Sequence, residues 1–215
     1  MVDINEVCDA VYCINLDRRP DRWEQFKNLW DGLGIDIQRF PAVDARNLTY
    51  EEGTYRDDDE FHNKSSIGCA LSHVQVMERS VYSGHKEILV LEDDAQPCKN
   101  FKEKFSEFYS QLPEDYNFCY LGGTNMAPPE KITENVGRSM DTKSTVAYLV
   151  KVPYAEQIAS FVKGHFKQLA VDELFGKLQR DNVLHIFNPR LIHQFESYSD
   201  IIEEDVYYSW MRDLE

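Results

Sequence analysis

The residues with the most chemistry to offer are three consecutive carboxylates, Glu92-Asp93-Asp94, which follow the apolar run Ile88-Leu89-Val90-Leu91 without a spacer. A short apolar run of this kind reads as a strand buried on both faces. In open α/β sheets, ligands bind outside the carboxyl ends of the strands, where strand order reverses. Three adjacent acids at such a place repel one another and resist desolvation unless a cation neutralises them. Ligands that are all hard oxygens suit Mg²⁺ or Mn²⁺, ions that are commonly shared with a substrate phosphate. Taken alone, the triplet also fits a solvated turn after a strand.

A second constellation is basic. The strand-like stretch Ala10–Leu16 runs into Asp17-Arg18-Arg19-Pro20-Asp21-Arg22, and Pro20 fits the first position of a helix. Asn15, Arg18, Arg19 and Arg22 then cluster at a helix N-terminus, where backbone N–H groups and guanidinium forks suit a pyrophosphate. The alternative is that these arginines are surface charges paired with Asp17 and Asp21. Asp44 lies just past a second expected strand, Ile35–Phe40, a place from which a single acid can bind a ribose or a base edge.

The elements that must position these groups alternate between strand and helix. Trp23, Phe26, Trp30 and Leu33 recur at helical spacing, with Gly34 as the stop. Arg46–Asn63 has no periodicity and reads as a solvated loop; its acidic run Asp57–Glu60 lacks the spacing and Gly of a calcium loop. Ser65 or Ser66 is expected to cap a helix that continues through Val81 to Gly84, with Ser72 and His73 as packed polar residues. Phe101, Phe105, Phe108 and Leu112 form a core-facing helical stripe. Strands are expected at Asn117–Leu121, Ser144–Val150 and, last, Val183–Phe187, with a loop from Met126 to Asp141. Helices are expected from Pro153 to Gly164 and from about Ala170, where Asp172 in the first turn reads as a cap or dipole partner. His185 alternates with apolar neighbours and reads as structural. His193 follows a strand end, where its neutral nitrogen can complete a metal site. Tyr207, Tyr208 and Trp210 in the acidic tail are candidates for docking onto the body.

Composition narrows the class. With 215 residues the chain is long enough for one large domain, and a formal charge of −15 makes nucleic acid an unsuitable partner. An anionic ligand would therefore need local cations. No apolar run reaches the ~20 residues of a membrane span, and the acidic N-terminus lacks the features of a signal peptide. Five cysteines, an odd number without a CxxC pair, point to reduced thiols in the cytoplasm. Neither GxGxxG nor GxxxxGK[ST] occurs, which disfavours dinucleotide and P-loop chemistry.

In order along the chain, Tyr12-Cys13-Ile14-Asn15-Leu16-Asp17-Arg18-Arg19-Pro20-Asp21-Arg22, Arg39-Phe40-Pro41-Ala42-Val43-Asp44, Gly68-Cys69-Ala70-Leu71-Ser72-His73 and Val90-Leu91-Glu92-Asp93-Asp94-Ala95 resemble the family-25 glycosyltransferases. That group includes bacterial lipooligosaccharide galactosyltransferases, collagen-modifying galactosyltransferases and relatives in large DNA viruses. Tyr120-Leu121-Gly122-Gly123, Ala147-Tyr148-Leu149 and Val171-Asp172 look like later family positions. The resemblance implies a GT-A-type, Rossmann-like α/β/α sandwich with a central mixed, mostly parallel sheet. On this basis residues 1–215 are one GT-A domain, of a length to be the N-terminal part of a longer polypeptide. It also implies a nucleotide-sugar donor such as a UDP-hexose, a divalent Mn²⁺ or Mg²⁺, inversion at the anomeric carbon, and the hydroxyl of a glycan or glycoprotein as acceptor. If the source is viral, the compartment is the host cytoplasm. Glu92-Asp93-Asp94 takes the place of the DxD-type element, with Asp94 and Asp93 on the metal and Glu92 positioning the donor. Asn15, Arg18, Arg22, Asp44 and Ser72 fall where the donor pocket would be. His193 is the third metal ligand by analogy with other GT-A enzymes, and Asp172 matches a late acidic position suited to a general base.

Two other classes compete. A phosphohydrolase with a strand-end nucleophile wants Asp-x-Asp followed by Thr or Val, whereas here the first acid is Glu92 and Ala95-Gln96 follow Asp94. A sugar-binding module without turnover is the other, against which the retained acid triplet argues.

Overall fold

The computed structural model describes residues 2–49, 60–201 and 204–206. The described elements are, in order, α1 (Ile4–Val7), β1 (Ala10–Asn15), α2 (Pro20–Trp30), β2 (Ile37–Pro41), a 3₁₀ turn (Ala45–Asn47), α3 (Glu60–Tyr82), β3 (Glu87–Glu92), β4 (Ala95–Pro97) and α4 (Phe101–Tyr109). After these come β5 (Phe118–Tyr120), β6 (Thr124–Ala127), β7 (Glu130–Lys131), β8 (Val136–Arg138), β9 (Asp141–Lys143), β10 (Ala147–Lys151), α5 (Val152–His165), α6 (Val171–Asp181), β11 (His185–Phe187), β12 (Ile192–Gln194), β13 (Ser197–Ser199) and β14 (Glu204–Val206).

Eight strands form the main sheet in the order β2-β1-β3-β10-β5-β11-β8-β7. β2, β1 and β3 are mutually parallel, as are β5 and β11, while β10 and β8 run the other way. Alternation along the strands sends two sets of side chains to opposite faces. Ala10, Tyr12, Ile14, Ile88, Val90, Tyr148 and Val150 share one core with Ala70, Val74 and Met77 of α3, Ile158 of α5 and Leu174 of α6. Val11, Cys13, Leu89, Leu91 and Leu149 share the other with Phe26 and Trp30 of α2 and Phe101, Phe105 and Phe108 of α4. This is the GT-A-type α/β/α layering expected from the sequence, with a mixed sheet whose strands mostly run one way. No helix among the described residues is long and apolar enough to cross a membrane.

Several local expectations need correction. α3 begins at Glu60, so Ser65 and Ser66 lie inside the helix and cap nothing; Glu60–Lys64 hold no Gly or Pro to stop it earlier. Residues 50–59, including Asp57–Asp59, and the tail aromatics Tyr207, Tyr208 and Trp210 lie outside the described residues. The stretch expected as a loop, Met126–Asp141, contributes to β6–β9, and β8 joins the main sheet beside β11. These strands have two to four residues, too few for period-2 alternation to register. Val183–Phe187 is not the last strand, because β12–β14 follow β11.

α3 approaches the loop after β2 closely enough that a Cβ on Gly68 would lie 2.8 Å from the Val43 carbonyl oxygen, whereas a Cβ on Gly164 of α5 would meet nothing within 4 Å. Alanine gains about 1 kcal/mol over glycine in a helix, and overpacking typically costs about 1–3 kcal/mol. Gly164→Ala should therefore raise the melting temperature and Gly68→Ala should lower it. A rise in both by thermal denaturation would show that the α3 contact is not tight.

Candidate active site

β1 lies between β2 and β3, and the helices on either side of it, α2 and α3, pack on opposite faces of the sheet. A crevice opens at the carboxyl ends of β1 and β3, as expected at a switch in strand order. Register pairs Ile14 with Glu92, which sets Asn15 beside Asp93. Glu92, Asp93 and Asp94 all line this crevice together with Arg18, Arg22, Ser72 and His73.

Each acid has different partners. Asp93 accepts a 2.6 Å hydrogen bond from Asn15 Nδ2, and its other oxygen lies 2.6 Å from Arg22 Nη2. Asp94 Oδ2 lies 3.2 Å from the same guanidinium nitrogen and accepts from Gln194 Nε2 at 3.2 Å. Asp94 Oδ1 is buried with no hydrogen-bond partner, the one carboxylate oxygen so placed among the described residues. Burial pushes the Asp94 carboxyl up to about 7 against the pull of Arg22, and Glu92 and Asp93 add repulsion. Asp93 is also raised by burial, again opposed by Arg22.

Glu92 moves the other way. Burial would raise it, but the hydrogen bond and charge of His73, the hydrogen bond from Thr145 and the charge of Arg22 together outweigh burial and hold it below the usual carboxylate range. Thr145 Oγ1 donates to Glu92 Oε1 at 2.6 Å, and His73 Nε2 lies 3.2 Å from the same oxygen. An ionised carboxylate only accepts, so Nε2 carries a proton, and Nδ1 lies 2.9 Å from the Tyr148 hydroxyl. Cys69 Sγ, His73 and Glu92 offer ligand atoms within 4.8 Å of one another. Both imidazole nitrogens already have partners, so this group is a hydrogen-bonded network that orients Glu92. The orphan oxygen that fits a hard divalent cation is on Asp94, beside Asp93.

The other expected residues divide into those at the crevice and those behind it. Asn15 is 1% exposed and fully used: Nδ2 also donates to the Arg19 carbonyl, and Oδ1 accepts from Arg39 Nε at 2.7 Å. It positions Asp93. Ser72 accepts from the Val43 N–H at 2.9 Å and donates to the Gly68 carbonyl, fixing the loop that carries Asp44. Asp44 caps the 3₁₀ turn and binds Arg18 Nε at 3.1 Å. His193 lies on β12 opposite Gln96, and its neighbour Gln194 is the residue at Asp94 and in the crevice wall. Asp172 accepts from the Glu173 N–H at 2.8 Å and the Ser144 N–H at 3.3 Å, behind the wall. Ser144 Oγ in turn donates to Gln194 Oε1. Sequence reasoning passed over Gln194, Thr145 and Asp200. Gln194 lies on a strand whose register, absent from the sequence, aims it, Thr145 lies in the short segment before β10, and Asp200 sits in a tail with no periodic signal.

The family model described as "Glycosyltransferase family 25 (LPS biosynthesis protein)" matches residues 8–168, a span that includes β1, the arginine turn and the acid triplet. The chain belongs to this family. An Anopheles gambiae "Glycosyltransferase 25 family member" is 40% identical over 221 residues, covering 93% of this chain and 35% of the relative. Human "Procollagen galactosyltransferase 2" is 26% identical over 184 residues, covering 77% and 29%. A mouse relative named "Inactive glycosyltransferase 25 family member 3" is 27% identical over 238 residues, covering 96% and 39%. The chain thus spans roughly a third of the length of the curated family-25 relatives it matches.

A pH dependence follows for this family-25 crevice. Folded Asp94 keeps its proton up to about pH 7, whereas an unfolded aspartate releases it near 3.8. Between these values the folded state binds more protons, so Asp94's contribution to stability is full below the lower value and is lost as pH rises through the upper one. Asp94→Asn does not titrate. Without metal, its melting temperature should gain on that of the parent as pH rises from about 5 to about 8. A constant difference across that range would mean Asp94 is not the titrating group.

Proposed function

We propose that this chain is the donor-binding, catalytic domain of a metal-dependent inverting glycosyltransferase that moves a hexose from a UDP-linked sugar to a hydroxyl of a glycan or glycoprotein. The observation that carries the reading is the acid triplet at the crevice floor, with Asp93 and Asp94 buried and Asp94 Oδ1 lacking a partner despite the adjacent Arg22. Human procollagen galactosyltransferase 2 supports galactose as the hexose by its name. Five unpaired cysteines support a reducing, cytoplasmic setting.

Asp93 and Asp94 would hold Mn²⁺ or Mg²⁺, which when bound neutralises charge on the leaving diphosphate. Asn15 and Arg22 keep Asp93 in place. Arg18 and Arg22 bind diphosphate oxygens through their guanidinium forks. Glu92, kept anionic by His73 and Thr145, accepts hydrogen bonds from donor hydroxyls. Asp44 and Ser72 shape the loop beside the donor. Asp172 takes the proton of the acceptor hydroxyl, a role supported by its link through Ser144 and Gln194 to Asp94. The third protein ligand proposed by analogy, His193, has less support, because Gln194 takes the place beside Asp94. The mouse relative's name favours a second reading, a sugar-nucleotide-binding module without turnover. Hydrolysis or transfer from any UDP-sugar in the presence of Mn²⁺ separates the two.

Calorimetric titration with UDP-galactose should show clear binding in Mn²⁺ and weak binding in EDTA; equal affinity in the two buffers would remove the metal from the reading. For Asp172→Asn, UDP-sugar affinity and melting should be unchanged while kcat with acceptor falls by about 10²–10⁴. Transfer at more than about a tenth of the parent rate would leave Asp172 as the anchor of Ser144, with the base elsewhere.

A further inference from the structure

Arg18 and Arg19 both reach forward to one carboxylate far along the chain. Asp200 Oδ1 lies 2.5 Å from Arg18 Nη1, its Oδ2 binds Arg19 Nη1, and Arg22 Nη1 is 4.0 Å from Oδ2. The side chains are 16–21% exposed for Arg18, Arg19 and Asp200, so these charge-assisted contacts are largely withdrawn from water. Asp200 adjoins β13, which pairs with β14 in a sheet of its own and adds nothing to the eight-stranded sheet. Ser199, Asp200 and Ile201 form part of the crevice wall. Burial would raise the Asp200 carboxyl, but the hydrogen bond from Arg18 and the charges of Arg19 and Arg18 hold it below its usual range.

Two oxygens of one anion, each on a separate guanidinium beside a third, reproduce how non-bridging phosphate oxygens are bound. Asp44 and Asp21 already occupy the remaining edges of Arg18 and Arg19. A diphosphate therefore meets carboxylates already seated on both Arg18 and Arg19, and Asp200 is the partner that the two arginines share, on a segment that adds nothing to the main sheet. We infer that Asp200 is a built-in competitor, seated where an anionic phosphate group of the ligand binds and displaced when that ligand enters. This rests on the reading of the arginine face as a diphosphate seat. Asp200 thereby sets donor affinity: its release is part of every binding event.

The test uses the 215-residue chain with inorganic pyrophosphate in EDTA, so that neither metal nor sugar transfer enters the readout. By calorimetry at low salt, Asp200→Asn and Asp200→Ser should each bind pyrophosphate about tenfold more tightly than the parent, the size of one lost charge-assisted competitor. Asp200→Glu, which keeps the anion, should stay near the parent. Tightening in the neutral variants without any UDP-sugar turnover keeps the competitor and removes the transferase reading. Turnover with unchanged or weaker pyrophosphate binding in both neutral variants overturns the competitor and leaves the transferase. Absence of pyrophosphate binding in the parent and both neutral variants also overturns it.

Discussion

Burying two aspartates, with a half-buried glutamate before them, at one strand end is the constraint from which the rest of this site follows. An isolated buried charge costs several kcal/mol, and neighbours of like sign add to that. The fold answers each acid separately. Glu92 receives a hydroxyl and an imidazole, Asp93 an amide and a guanidinium, and Asp94 an amide and a share of that guanidinium. These groups come from β1, α2, α3, the segment before β10, and β12. Their convergence requires β1 to lie beside β3, so the strand order is itself a condition of holding the triplet at this strand end.

The polar floor is held by the apolar core beneath it. Tyr148, which fixes His73, is stacked on Phe118 at 5.0 Å between ring centroids and meets Phe175 edge-on at 5.6 Å. Both rings are fully buried. An imidazole whose second nitrogen is bound to a phenol locked in this way has little rotational freedom, which extends to Glu92. Gly68 contributes at longer range: by letting α3 reach the Val43 carbonyl, it brings the Ser72 hydroxyl within 2.9 Å of the Val43 N–H. Core packing and site geometry are therefore coupled, and small changes in α3 propagate to the loop that carries Asp44.

What was legible in the sequence had strong local signals. The Ile88–Leu91 run, Pro20 at a helix start and the phenylalanine stripe of α4 each name their element through hydrophobic period or backbone restriction. Such signals also placed the acid triplet and the arginine turn at strand ends. Long-range register has no local trace. That His193 stands opposite Gln96, and Gln194 opposite Ala95, depends on the antiparallel pairing of two three-residue strands about a hundred residues apart. A shift of one residue along a strand reverses which side chain faces a given surface. The same limit explains Asn15, whose type suggested a ligand contact but whose amide is consumed by Asp93, Arg19 and Arg39.

β3 itself supplies an internal comparison, because it begins as well as ends on an acid. Glu87, at the amino end, is also buried and raised by desolvation. There the fold closes the account with neutral donors: Tyr116 and Tyr109 hydroxyls bind the carboxylate, and the Lys151 ammonium lies 4.4 Å above the Tyr116 ring. Neither Glu87 oxygen is left without a partner. At the carboxyl end Asp93 and Asp94 share one guanidinium nitrogen, Arg22 Nη2, and Asp94 Oδ1 stays unpaired. This sequence can therefore satisfy a buried strand-end acid completely. An orphan oxygen at the end that faces a crevice, on a carboxylate that shares Arg22 with Asp93, is the arrangement expected when part of the compensating charge arrives with the ligand.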